Sequence, residues 1–250
     1  MKKKLIILGL LLLIGICAFY FRGNIQDFIL ELKKGQLPTE TTSISGTPNT
    51  TNGINLAVPF SAQAPFGDWS LPYLEACEET SALLVDRFYK NEKLTPEIVK
   101  EEILKMVDWQ NKNFGHYEHT TAAETARILK EYFNYRRVDV DYDISLEDIK
   151  AHIIAGRPVI VPLAGRLVNN PFYRQPGPIY HMLVVKGLTK NGDFTTNDVG
   201  TKRGANYVYD ATVFYDAIHD APFGGGALTN LELEKDIPTG RKAIIVVYPN

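Results

Sequence analysis

The chain has 250 residues, 45% apolar and 22% charged, with a formal net charge of −2. That balance excludes a wholly disordered chain and an integral membrane bundle. It also excludes a nucleic-acid binder, which needs clustered Lys and Arg against phosphates. The length leaves room for one ordinary globular domain beyond an N-terminal region, able to bury a core without metal or disulfide.

In chain order, Met1-Lys2-Lys3-Lys4 precedes an uncharged apolar run, Leu5 to Phe21. As a helix that run reaches about 26 Å, close to the ~30 Å hydrocarbon core of a bilayer. Residues 1–22 therefore read as a cytoplasmic lysine stub and a single-pass signal anchor, which exports the rest of the chain. Cleavage as a signal peptide is the competing reading. Ile25, Phe28, Ile29 and Leu32 fall at helical spacing on one face. Gly35 to Gly53 is rich in Thr, Ser, Asn, Pro and Gly and reads as a flexible linker. Residues 23–55 are thus a juxtamembrane helix and tether, with the membrane as the partner of the N-terminal helix. Residues 56–250 are the folded domain.

Within that domain the spacing predicts helices over 76–89, 95–110, 121–132 and 145–156. Thr95 with Pro96, Thr121 with Glu124, and Ser145 with Asp148 supply the start signals. Strands follow at 158–163, 180–188, 193–196, 206–209 and 243–248, short and rich in β-branched or aromatic residues. Helices first and strands afterwards describe an α+β domain, a helical half packed on an antiparallel sheet. Asn191-Gly192 predicts a two-residue hairpin turn.

Two cysteines occur, and Cys17 lies in the apolar N-terminal run, so Cys77 has no disulfide partner in the domain. A lone thiol is either a small buried hydrophobe or a nucleophile. Cys77 sits where a loop with Pro65, Gly67 and Pro72 gives way to a helix. The first-turn N–H groups there favour a thiolate and can bind an oxyanion. Glu78 and Glu79 oppose that by adding negative charge beside the thiol. His181 opens the best-defined strand, and alternation puts it on one face with Leu183 and Val185. A two-residue turn at Asn191-Gly192 sets Asp198 opposite Val185. That is the face of His181, but about 13 Å along the strand, so contact requires a bulge or an early strand end.

Several segments carry a family resemblance. Val58-Pro-Phe-Ser-Ala-Gln63, Gly67-Asp-Trp69 and Ala76-Cys77-Glu-Glu-Thr80-Ser81-Ala82 resemble the opening of the peptidase C39-like family. These are papain-like relatives of the bacteriocin-leader (double-glycine) peptidases. Gly156-Arg-Pro158, Tyr180-His181-Met-Leu and Asn197-Asp198-Val-Gly200 resemble its second half. The resemblance runs from about Leu56 to the C-terminus. It implies a papain-like fold and thiol-dependent hydrolysis of a peptide or protein substrate without a cofactor. Cys77 would be the nucleophile, His181 the base, Asp198 its orienting carboxylate and Gln63 an oxyanion donor. Val199 departs from the proline often found after the aspartate. Trp69 and Tyr180 are the expected substrate contacts. Acyl transfer on the same frame, or a noncatalytic binding module, are the alternatives.

His116, Glu118 and His119 do not form a metal-ligand pattern, so no metal is expected. The sequence leaves the oligomeric state open.

Overall fold

The computed structural model describes residues 21–42, 50–222 and 230–249. The chain divides into two compact units, residues 1–36 and 37–250. In the first, residues 21–34 form helix α1, and its Ile25, Phe28, Ile29 and Leu32 are exposed. Among the described residues no helix is long and apolar enough to cross a membrane. Arg22, Asp27, Glu31, Lys33 and Lys34 interrupt the apolar residues of α1. This finding overturns the single-pass, extracytoplasmic placement expected from Leu5 to Phe21. Residues 1–20, which hold nearly all of that run, lie outside the described residues.

The second unit is α+β, built on a seven-stranded antiparallel sheet. Its strands are β1 (Ile54–Asn55), β2 (Arg137–Tyr142), β3 (Val159–Ala164), β4 (Tyr180–Leu188), β5 (Phe194–Asn197), β6 (Tyr207–Tyr209) and β7 (Ala243–Tyr248). The order is β2-β7-β3-β4-β5-β6, and β1 pairs with the far end of β4. β2 adds a strand beyond those expected from the sequence. Its Val138 and Val140 alternate with Asp139 and Asp141, which suits an edge strand with one wet face.

Helix α2 (Cys77–Lys90) is buried from Cys77 through Asp86 and lies against β4 and β3. The run Ala82-Leu83-Leu84-Val85 explains its central position, and Asn91 ends it in the left-handed conformation. Helix α3 (Pro96–Asn113) starts at Thr95, whose side chain accepts from Ile98 N–H. Helix α4 (Ala122–Arg127), continued by a π-helical turn Ile128–Tyr132, and helix α5 (Leu146–Ile154) both open with complete capping boxes. Helices α6 (Ala211–Asp216) and α7 (Asn230–Asp236) precede β7.

The hairpin between β4 and β5 departs from the expected register in two places, and both matter for the site. Thr189 N–H donates to Asp193 O at 2.8 Å and Gly192 N–H to Thr189 O at 3.0 Å. The loop is therefore Lys190-Asn191-Gly192, three residues rather than two, with Gly192 at φ +87°. A bulge at Lys186 then shifts the register between Val185 and Gly187, so that Val184 pairs with Asn197. One residue further, Asp198 falls opposite Leu183 instead of Val185. Two one-residue shifts restore the face and bring Asp198 two residues nearer His181. At a diagonal spacing of about 7–8 Å, long side chains meet.

The compact unit begins at Leu37, within the segment read as a tether. Thr41 N–H donates to Asn55 O at 2.8 Å and Ala57 N–H to Thr41 O at 2.7 Å. Glu40 bonds the buried Lys186 ammonium at 2.5 Å.

Candidate active site

The short helical turn Tyr73–Glu75 leads into Cys77, the first residue of α2. Gln63 fixes this entry from the side. Its Nε2 donates to Tyr73 O at 3.0 Å and to Leu74 O at 2.8 Å, and its own N–H donates to Val199 O at 2.9 Å. Gln63 thus ties the turn before Cys77 to the loop that follows Asp198.

On the facing sheet, His181 Nε2 donates to Asp198 Oδ1 at 2.9 Å, with both side chains buried. With a carboxylate as the partner, Nε2 is assigned the proton and Nδ1 the lone pair. Asp198 also accepts at Oδ1 from Gly200 N–H at 3.0 Å. Its Oδ2 accepts from Asn170 Nδ2 at 2.9 Å, Tyr173 OH at 2.6 Å and Tyr209 OH at 2.5 Å. Desolvation alone would raise this carboxyl, but His181 and the two tyrosines hold it below its ordinary value. The outcome is a buried, ionised acceptor, the electrostatic form suited to steadying an imidazolium. Tyr173 also packs its ring against His181, with centroids 5.5 Å apart.

Gly200 is demanded by contact rather than by backbone angle. A Cβ there would lie 2.8 Å from His181 Cε1 and 3.1 Å from Nε2. Cys77, His181, Gln63 and Trp69 line one cleft of about 930 Å³, walled further by the 172–180 and 200–203 segments. Asp198 stands behind His181, out of solvent.

A family model described as the Peptidase_C39 like family matches residues 55–220. The chain belongs to that family. The match spans every element that carries the cleft, from Gln63 to Arg203. Among solved structures, a Bacillus anthracis protein described as a candidate C39-like peptidase is 12% identical, with a TM-score of 0.43. The alignment covers 78% of this chain and 96% of that one. The comparison with curated proteins gives no match.

Three features of this C39-like site were not read from the sequence. The first is the cage of Asn170, Tyr173 and Tyr209 around Asp198. These residues come from a loop and a strand remote in sequence, and no local periodicity announces them. The second is the burial of Glu78, whose opposing charge the sequence already shows, and the contact in which its Oε2 accepts from Cys77 Sγ at 3.0 Å. Burial first, then the Glu78 charge, pushes the thiol well above its ordinary value. Burial and the neighbouring Glu79 push the Glu78 carboxyl up as well. The helix-start stabilisation expected for Cys77 is thus outweighed in the resting site.

The third feature is the engagement of two expected site residues. Both Gln63 amide hydrogens are committed to backbone carbonyls, while Oε1 has no partner among the described residues. The side chain therefore braces the turn before Cys77, with neither amide hydrogen free for an oxyanion. Tyr180 lines the cleft wall, but its hydroxyl sits 3.0 Å from Asp220 Oδ1 and 3.2 Å from Thr120 O. Trp69 is half-buried and lines the cleft.

Among the described residues no group of His, Cys, Asp or Glu is arranged to hold a metal ion. His119 Nδ1 lies 3.6 Å from Glu75, and His116 Nε2 lies 3.1 Å from Glu124, each a local pair.

Proposed function

We propose that this C39-like chain is a cysteine peptidase that hydrolyses peptide bonds through a thioester on Cys77. The observation that carries the reading is the buried His181–Asp198 pair at 2.9 Å, whose histidine lines the cleft that also holds a lone thiol at a helix start. His181 Nδ1 takes the Sγ proton and the sulfur attacks the substrate carbonyl carbon. The carbonyl oxygen gains the charge and meets the first-turn N–H of Cys77. When the C–N bond breaks, His181 returns its proton to the leaving amine. Water, deprotonated by the same nitrogen, then cleaves the thioester and frees the acid. Asp198 orients the ring and steadies its positive form throughout. Gln63 serves as a second oxyanion donor once its amide turns from the Tyr73 and Leu74 carbonyls.

The deciding measurement is the rate of Cys77 alkylation by iodoacetamide against pH, in wild type and in His181→Ala. In a working pair the wild type reacts through a thiolate whose formation follows the His181 protonation step, and His181→Ala loses that limb. Cys77→Ala abolishes peptide hydrolysis. Identical profiles with and without His181 would leave a binding module on the same frame.

A further inference from the structure

We infer that the cleft selects an anionic group on the leaving, C-terminal side of the scissile bond, and that Lys202 and Arg174 are the residues that select it. The inference rests on the peptidase reading for its direction, because it deepens the account of the same site.

The lining of the cleft is electrically one-sided. Its cations are Arg166, Arg174, Lys202 and Arg203, against a single carboxylate, Glu75. The chain as a whole carries a slight negative charge, so this concentration is local. Arg166 is neutralised by Glu234, and Arg203 lies over the Phe172 ring, 5.2 Å from its centroid. Lys202 and Arg174 differ from these two. Both are exposed and neither has a carboxylate partner among the described residues. The one carboxylate, Glu75, is itself lifted to about 7 by burial and the nearby Glu118. At neutral pH it cancels only part of the positive field.

The placement of these cations fixes which part of a substrate they meet. Arg174 directly follows Tyr173, whose ring packs on His181. Lys202 stands two residues beyond Gly200, the residue pressed against the same imidazole. Its ammonium lies beside Gly67, two residues before the cleft residue Trp69, where a Cβ would come within 2.6 Å of Lys202 Nζ. Both cations therefore line the same cleft as His181, the proton donor for the leaving amine, on the two segments whose Tyr173 and Gly200 touch that ring. A peptide whose nitrogen is protonated by His181 must run its departing segment along this wall. An acidic side chain there, or the terminal carboxylate of a short leaving peptide, would meet two unneutralised cations over an apolar floor of Phe172 and Ile179.

The test uses the full-length protein and three peptide sets, identical except for Glu, Gln or Lys in the positions after the cleaved bond. A randomised synthetic library with mass-spectrometric reading of the cut sites first locates that bond. The wild type is expected to cleave Glu peptides about five- to tenfold faster than Gln peptides in kcat/KM, the scale of one or two screened charge pairs. The advantage should fade in about 1 M salt, where the screening length falls to about 3 Å. The double change Lys202→Glu with Arg174→Glu should swap the order, slowing Glu peptides and speeding Lys peptides, an outcome misfolding cannot produce. Equal rates across the three sets, or a wild-type preference for Lys, overturns the inference while leaving the peptidase standing. If no peptide is cut, the peptidase reading fails and the leaving-side assignment fails with it. Binding of the same peptides to the Cys77→Ala chain, followed by fluorescence anisotropy, then decides anion selectivity. Tighter, salt-sensitive binding of the Glu set supports it, and equal binding ends it.

Discussion

At the scale of single residues, the least expected contact is the one between the candidate nucleophile and its own neighbour. Cys77 Sγ points its proton at Glu78 Oε2. Glu78 is enclosed with Glu79 beside it, while Glu75 and the Tyr180 ring lie within electrostatic reach. Burial is the larger cause of the raised thiol and the carboxylate the second, so they separate by mutation. Glu78→Gln keeps the shape and removes the charge. A thiolate is then no longer opposed by an adjacent anion, so the thiol pKa falls, although burial keeps it above the ordinary value. We expect the alkylation profile of Cys77 to move toward acid, with faster labelling at neutral pH, because the thiolate fraction there rises as the thiol pKa falls. An unmoved or more alkaline profile would mean that the Glu78 carboxyl is already protonated and serves as a plain hydrogen-bond acceptor. Sequence inspection reaches half of this result. Adjacent acids beside Cys77 are visible in the string Cys-Glu-Glu, but their complete burial is a property of α2 lying at the centre of the fold.

At the scale of elements, the site depends on one hairpin and the loop after it. The helix starts were legible because capping chemistry is local: Thr95, Thr121 and Ser145 each accept from the backbone three residues on. Strands β3 to β7 were legible from their side-chain pattern, unlike the short β1 and the edge strand β2, and so was the face shared by His181 and Asp198. The register was not, because it turns on one extra loop residue and one bulge, neither of which changes which residues look like strand. The cage from Asn170, Tyr173 and Tyr209 was illegible for a stronger reason, since it exists only once the chain has folded. The loop 198–204 carries the tightest constraint. Asp198 N–H donates to Gly204 O at 3.0 Å, and a Cβ on Gly204 would collide with the Asp198 carbonyl. Gly200→Ala is the more informative change. Its methyl pushes on the His181 ring and on Tyr173 rather than on backbone, so the hairpin should survive while the imidazole leaves Asp198. Loss of about 10²-fold in kcat/KM is expected, the cost of misplacing a reacting group by around 1 Å. Far-UV circular dichroism should stay as in the wild type. Full activity in a folded Gly200→Ala chain would show that the ring is held by Asp198 alone and not by the shape of the loop.

At the scale of the whole molecule, the boundary of the folded unit depends on one buried lysine. Lys186 is the residue extruded by the β4 bulge, and its ammonium is enclosed. It is held by Glu40 Oε1 at 2.5 Å and Asn206 Oδ1 at 2.8 Å, while Asn206 Nδ2 reaches the same Glu40 oxygen at 3.2 Å. Burial lowers the Lys186 pKa and Glu40 pulls it back up. A segment that reads as featureless tether therefore supplies the counter-charge for the sheet's central strand. It does so because the bulge that brings Asp198 to His181 also turns a lysine inward. Removing Glu40 should strand a buried cation, whereas removing both charges should not. Glu40→Ala is expected to cost about 1–2 kcal/mol in urea unfolding, below the value for a fully enclosed pair because Glu40 is itself partly exposed. Lys186→Met should be neutral or stabilising, since a methionine fills the same channel without desolvation. In the Lys186→Met background, Glu40→Ala should then cost almost nothing, and the difference between the two backgrounds is the coupling. The sign with pH follows from the lowered lysine: its burden is greatest while the unfolded chain holds the proton, and it is relieved as pH rises toward the ordinary lysine value. The gap between wild type and Lys186→Met should therefore narrow at alkaline pH. Equal costs for Glu40→Ala in both backgrounds would show that residues 37–42 attach through the Thr41 backbone bonds alone.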